Sequence, residues 1–206
     1  MNSDSMEFIH KVIYINLDKR EDRRAEIEGE LRSMDITAER FPGIERKPGI
    51  VGCTASHLAV IKRAKEEGWP NVLVFEDDFM FLVNKLKFYN NVREFFQSNM
   101  VYDVLMLGYN ITGKSENLNE IVSRGYNIQA PSGYIVHHRF YDKLINTWES
   151  ALQHLIITGH HWHYANDQSW KSLQIDNTFL YFNIRIGKQR GSWSDNAGCY
   201  MDYEDS

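Results

Sequence analysis

Short apolar runs rich in β-branched residues alternate along this chain with longer stretches whose apolar positions recur every three or four residues. That is the pattern of strands and helices taking turns. Lys11–Leu17, KVIYINL, predicts a buried strand, and the charged stretch DKREDRRAEIEGELRSM after it carries Ile27, Leu31 and Met34 at helical spacing. TAERFPGI predicts a second short strand closed by Pro42 and Gly43. From Gly52 to Glu67 a helix is expected with Leu58, Ile61 and Ala64 on one face; Gly68 and Pro70 end it, and the strand NVLVF begins. A third helix is expected from about Asn84 to Gln97 with Leu86, Tyr89, Val92 and Phe96 inward. DVLMLG (Asp103–Gly108) is the next buried strand, and GYNIQAPSGYIVHH reads as two strands around a turn at Pro131–Gly133. Phe140, Leu144, Trp148 and Leu152 mark a further helix, ANDQSWKSL a shorter one and NTFLYFN a last strand.

The order β-α-(β)-α-β-α-β predicts an open α/β sandwich, a largely parallel sheet covered by helices on both faces. In such sheets ligands bind beyond the carboxyl ends of the strands. Two charged clusters fall at that edge: DKREDRR after the first strand and EDD after the central one.

Composition narrows the picture. With 206 residues, 43% of them hydrophobic, the chain can bury one sizeable core. No Pro/Gly/Ser-rich linker or repeat divides it, so a single domain over 1–206 is expected, its core at about 10–195 and an acidic tail at 200–206. The polar start MNSDSMEF lacks the features of a signal peptide, and no apolar stretch approaches the roughly 20 residues that span a bilayer. A cytoplasmic protein with reduced Cys53 and Cys199 is the expectation, a disulfide between the two being the alternative. A net charge of −5 argues against a nucleic-acid protein. An acidic protein that holds an anionic substrate needs a local device, such as a metal ion or a few arginines.

The acidic run is the candidate for that device. Glu76, Asp77 and Asp78 repel one another at a strand tip, and a divalent cation would offset the repulsion. Hard oxygen donors suit Mg²⁺ or Mn²⁺. If the strand stays extended, Glu76 and Asp78 share a face while Asp77 points away; Asp78 is the direct ligand expected, with Glu76 acting through water or on a sugar hydroxyl. Arg20, Arg23 and Arg24 stand where the first strand feeds its helix, placed to meet a phosphate or a base edge, or simply to be solvated. His160, His161 and His163 match no zinc spacing, although one of them could complete the acidic site. Asp167 is either a helix N-cap or a general base at the cleft mouth. The glycine-punctuated loop GKQRGSWSDN suits a cover over a ligand, its tryptophan a sugar face, and equally a mobile segment.

Taken together these blocks resemble glycosyltransferase family 25, the family of bacterial lipooligosaccharide transferases and procollagen galactosyltransferases. VIYINLDKREDRR is similar to its opening strand and arginine-rich turn, GCTASHLAVIKRA to its GC-SH helix, and VLVFEDDF to its acidic metal motif. YDVLMLG, SGYIVHHRFYDKLI, NDQSW and QRGSWSDN follow in the family's order, so that the likeness runs from about His10 to Asp195. The resemblance implies a GT-A fold, a UDP-sugar donor (galactose or glucose), dependence on Mn²⁺ or Mg²⁺, inversion at the anomeric carbon, and a glycan or protein-hydroxyl acceptor of the hydroxylysine type. It implies a metal held by Asp78 with Glu76 and a base at Asp167. Asn16, Leu17, Arg20 and Arg23 would lie around the nucleotide, and His57, Gln189, Arg190, Ser194 and Asp195 would line the phosphates and sugar. The chain is short for the family, and its acidic motif opens with Glu where the collagen-modifying members are expected to begin with Asp. Two rivals remain at this point: a metal-dependent nucleotidyl- or phosphoryl-transfer enzyme, although no P-loop is present, and an inactive nucleotide-sugar-binding relic.

Overall fold

The computed structural model describes residues 6–194 and 198–202. The first half alternates as its pattern predicts: β1 (Lys11–Asn16), α1 (Glu21–Ser33), β2 (Glu39–Pro42), α2 (Gly49–Glu66), β3 (Asn71–Glu76) and α3 (Lys85–Gln97), with a short strand that was not expected, β4 (Phe79–Phe81), between the last two. The second half holds β5 (Val104–Ile111), β6 (Ser115–Asn117), β7 (Val122–Gly125), β8 (Ile128–His137), α4 (Tyr141–Thr158), α5 (His161–Tyr164), α6 (Asn166–Ser169) and β9 (Phe179–Phe182). Three more short strands follow where none was expected: β10 (Gly187–Gln189), β11 (Ser192–Ser194) and β12 (Cys199–Met201). β11 and β12 form a hairpin, so Tyr200 and Met201 of the expected acidic tail are paired in a strand.

The sheet runs in the order β2-β1-β3-β8-β5-β9-β7-β6, with β10 joining β4 and β5. The α/β sandwich is present and its sheet is mixed. β2, β1 and β3 are parallel, as are β5 and β9, while the central β8 runs antiparallel to both β3 and β5. Side-chain alternation along the strands divides the core into two layers. Leu73, Phe75 and Leu105 face α1 and α3, whereas Val72, Val74, Val104 and Met106 face α2 and α4.

Two expectations fail here for local reasons. GYNIQAPSGYIVHH is one long strand after a turn at Tyr126–Asn127, where Asn127 takes the left-handed conformation (φ 58°) that asparagine tolerates. Pro131 is accommodated inside β8 because the ladder to β3 stops at Gly133 and the ladder to β5 passes from Gly133 to Gln129, so neither pairs with it. In α3 the buried face is Phe88, Tyr89, Val92 and Phe95; Leu86 is exposed and Phe96 half-buried. Asn84 caps that helix, its side chain accepting from the Lys87 N–H at 2.9 Å.

β1 and β3 are parallel and in register, Ile15 opposite Glu76. Both strands therefore deliver their carboxyl ends to one edge of the sheet. The acidic run and the arginine-rich turn meet there. No helix among the described residues is long and apolar enough to cross a membrane.

Candidate functional site

A cleft of about 310 Å³ opens at this edge. Its walls are the end of β1, the 43–48 loop, the first turns of α2, the acidic turn after β3, Ala130 and Pro131 of β8, the start of α6 and Gln189 of β10. β4 and β10 hold the acidic turn from outside. They pair antiparallel, and a Cβ on Gly187 would sit 2.1 Å from Phe79 Cζ, so only glycine admits that approach.

The strand does not stay extended through the acids. β3 ends at Glu76, and Asp77 and Asp78 form a turn that brings both carboxylates to Arg23. Arg23 Nη1 donates to Asp77 Oδ1 at 3.0 Å and to Asp78 Oδ2 at 3.2 Å, while Nη2 donates to Ser192 Oγ and the Trp193 carbonyl. Burial works against the guanidinium's charge, and the two aspartates outweigh it. Asp77 Oδ2 also accepts from Asn16 Nδ2 at 2.8 Å, and Asn16 Oδ1 accepts from Arg40. Asn16, buried at the cleft floor, thereby ties β1 to the acidic turn.

Asp78 is different. Its Oδ1 is buried and has no hydrogen-bond partner among the described residues. Burial first, and the neighbouring Glu76 charge second, push its carboxyl up to about 8 despite Arg23. Glu76 Oε1 meets His57 Nε2 at 2.9 Å, and Oε2 accepts from Gln189 Nε2 at 3.2 Å. An orphaned carboxylate oxygen beside a second carboxylate is a donor set that an oxygen-preferring divalent cation fits.

Asp167 lies across the chain in the same cleft. It is not an N-cap: Ala165 holds that position, without a side-chain cap bond. Its Oδ2 accepts instead from the Ala130 N–H at 3.2 Å, and burial raises its pKa more than this bond lowers it. A carboxylate so placed is suited to accept a proton.

Of the residues expected at the site, Asn16, Leu17, Arg23, His57, Glu76, Asp78, Asp167 and Gln189 line the cleft. Arg20 does not; it grips Asp22 through two nitrogens and donates to the Trp193 carbonyl. Arg190 turns to Glu30 and Glu26 on α1, its backbone N–H donating to the Asp78 carbonyl. Ser194 belongs to β11 but its side chain, and all of Asp195, lie outside the described residues. His160, His161 and His163 are exposed around α5, outside the cleft lining, so none of them joins the acidic site; His57 on α2 faces Glu76 instead. Arg46 and Lys47, which line the cleft from the loop before α2, were missed. The basic, Pro- and Gly-punctuated run RFPGIERKPG at a strand's carboxyl end was the available signal.

The profile of glycosyltransferase family 25 (LPS biosynthesis protein) matches residues 47–150, half of the chain. No curated protein sequence matches it. Among solved structures, a glycosyltransferase involved in the glycosylation of the major capsid of PBCV-1 is similar, with a TM-score of 0.52 at 8% identity, over 91% of this chain and 95% of that one. A197 from STIV gives 0.48 at 12% identity over 84% and 81% of the two chains. A mannose-1-phosphate geranyltransferase from Thermus thermophilus gives 0.44 at 10% over 89% and 60%. The fold, with its cleft at the carboxyl edge of β1 and β3, is that of GT-A-type transferases. The chain belongs to glycosyltransferase family 25 and is a glycosyltransferase.

Proposed function

We propose that this enzyme transfers a hexose from a UDP-sugar to a hydroxyl of a glycan or protein acceptor, with inversion, and that Asp167 is its base. The observation that carries this reading is one cleft lined both by the acidic turn and by an uncapping, half-buried Asp167. Asp78 and Glu76 would hold Mn²⁺ or Mg²⁺, which would neutralise charge on the leaving diphosphate. Arg46 and Lys47 bring positive charge to the same cleft and suit an anionic donor. Leu17 and Ile15 supply apolar surface to the cleft.

In the transfer, the acceptor oxygen forms a bond to the anomeric carbon as the bond from that carbon to the phosphate oxygen breaks. The electron pair leaves with UDP, and Asp167 holds the acceptor's proton. Desolvation makes Asp167 a stronger base than a solvated carboxylate. Arg23, locked between Asp77 and Asp78, keeps the acidic turn in place rather than reaching for the nucleotide. The test is incubation with a panel of UDP-sugars and hydroxyl acceptors, reading UDP release and the anomeric configuration of the product. Inverted product that disappears in Asp167→Asn is expected. Retained configuration would remove the single-displacement mechanism.

A further inference from the structure

Cys53, His57 and Glu76 form a second donor set on the cleft wall, chemically unlike the aspartates. Cys53 and His57 are four residues apart on α2 and so share a face, and Glu76 comes to them from the end of β3. Their ligand atoms all lie within 4.8 Å of one another. Glu76 Oε1 is 2.9 Å from His57 Nε2 and 3.8 Å from Cys53 Sγ. Bonds of about 2.0–2.3 Å at tetrahedral angles set donor atoms roughly 3.3–3.7 Å apart. The two edges at Glu76 lie within about half an ångström of that spacing, and the third, between Cys53 and His57, is no longer than 4.8 Å.

We infer that Cys53, His57 and Glu76 constitute a site for a thiophilic divalent cation, Zn²⁺ being the natural occupant, with its fourth position open to the cleft. The surroundings orient the ligands. Tyr134 Oη lies 2.7 Å from His57 Nδ1, and Gln189 Nε2 holds the other oxygen of Glu76. An ion on Nε2 requires that nitrogen to be unprotonated, so the ring carries its proton on Nδ1, where the Tyr134 oxygen accepts it, and the Cys53 thiol gives its proton to solvent.

The sulfur selects the ion. Zn²⁺, Co²⁺ and Cd²⁺ accept thiolate and imidazole, whereas Mg²⁺ and Mn²⁺ prefer oxygen. Glu76 belongs to this set and to the one proposed with Asp78, so an ion on either set draws on the same carboxylate charge, repels a second cation and weakens its binding. On the reading under Proposed function, and only on it, Zn²⁺ is then an inhibitor that competes with Mn²⁺.

Cobalt tests the site without any assay of transfer, because a thiolate bound to Co²⁺ gives an intense near-ultraviolet charge-transfer band. The chain has two cysteines, so Cys199→Ser leaves Cys53 as the sole thiol. One equivalent of Co²⁺ should produce the band in wild type, Cys199→Ser and Asp78→Asn alike. It should be absent in Cys53→Ser, with Zn²⁺ affinity there lower by roughly tenfold or more. No band in Cys199→Ser overturns the site, and that result requires no variant within it. Persistence in Cys53→Ser, or loss in Asp78→Asn, overturns its composition. Failure of every UDP-sugar to react would leave the band untouched and would overturn only the proposed function.

Discussion

Replacing Asp78 by asparagine should make the metal-free protein more stable while removing its activity. The perturbation is small in shape: the amide keeps an oxygen for Arg23 Nη1, and the charge beside Glu76 disappears. Its energy follows from the carboxyl's displacement from an ordinary 3.8 to about 8. At pH 7 the folded protein must hold on Asp78 a proton that the unfolded chain has released. At 1.36 kcal/mol per pH unit over the three or so units from 3.8 to 7, that costs about 4 kcal/mol. Some of this returns as a weaker contact with Arg23, so a gain of about 2–4 kcal/mol is expected. The sign sets the pH profile. A carboxyl raised on folding is harmless below pH 4, where both states are protonated, and destabilises increasingly as pH rises toward 8. The advantage of Asp78→Asn should therefore be nil near pH 4, grow to pH 8 and level off above it. Urea unfolding with chelator present, across pH 4–9, measures it. A variant less stable than wild type at pH 8, or a gain that ignores pH, would refute the reasoning.

Asp167→Asn should lower kcat by on the order of 10²–10⁴-fold with little loss of stability, since the amide can still accept from the Ala130 N–H. Because burial raises the Asp167 pKa and the base must be ionised, the acidic limb of kcat/KM should lie above the ordinary carboxylate range and vanish in the variant. Arg23→Met leaves two buried aspartates without their cation and should cost about 3–5 kcal/mol in chemical unfolding, much of it recovered in the double variant with Asp78→Asn. Gly52→Ala would put a Cβ 2.2 Å from the Ile44 carbonyl, so the 43–48 loop must move; donor KM should rise, and an unchanged donor KM would separate that loop from the donor.

Much of this site was legible before the structure because strand periodicity locates strand ends. NVLVFEDD could be read as acids at the carboxyl end of a buried strand, and INLDKREDRR as cations beside them. Illegible was anything that depends on where a strand stops. The alternation rule sent Asp77 away from Asp78, but β3 ends at Glu76 and the turn swings both onto Arg23. The same limit hid β8, whose internal Pro131 reads as a turn until the early end of β3 beside it is known. Arg46 and Lys47 escaped notice because they sit on an irregular loop with no period to read. Arg190 reads as a ligand for phosphate and is instead held by Glu30, a pairing 160 positions distant in sequence.

The decisive measurement is calorimetric titration of the wild-type protein with UDP, in chelator and then in Mn²⁺, repeated with Asp78→Asn. Tight binding to wild type only when Mn²⁺ is present, and equally weak binding to the variant in both conditions, is the expected result. UDP affinity that Mn²⁺ leaves unchanged in wild type, or enhances as strongly in Asp78→Asn, would contradict a metal-assisted nucleotide-sugar site at this acidic turn.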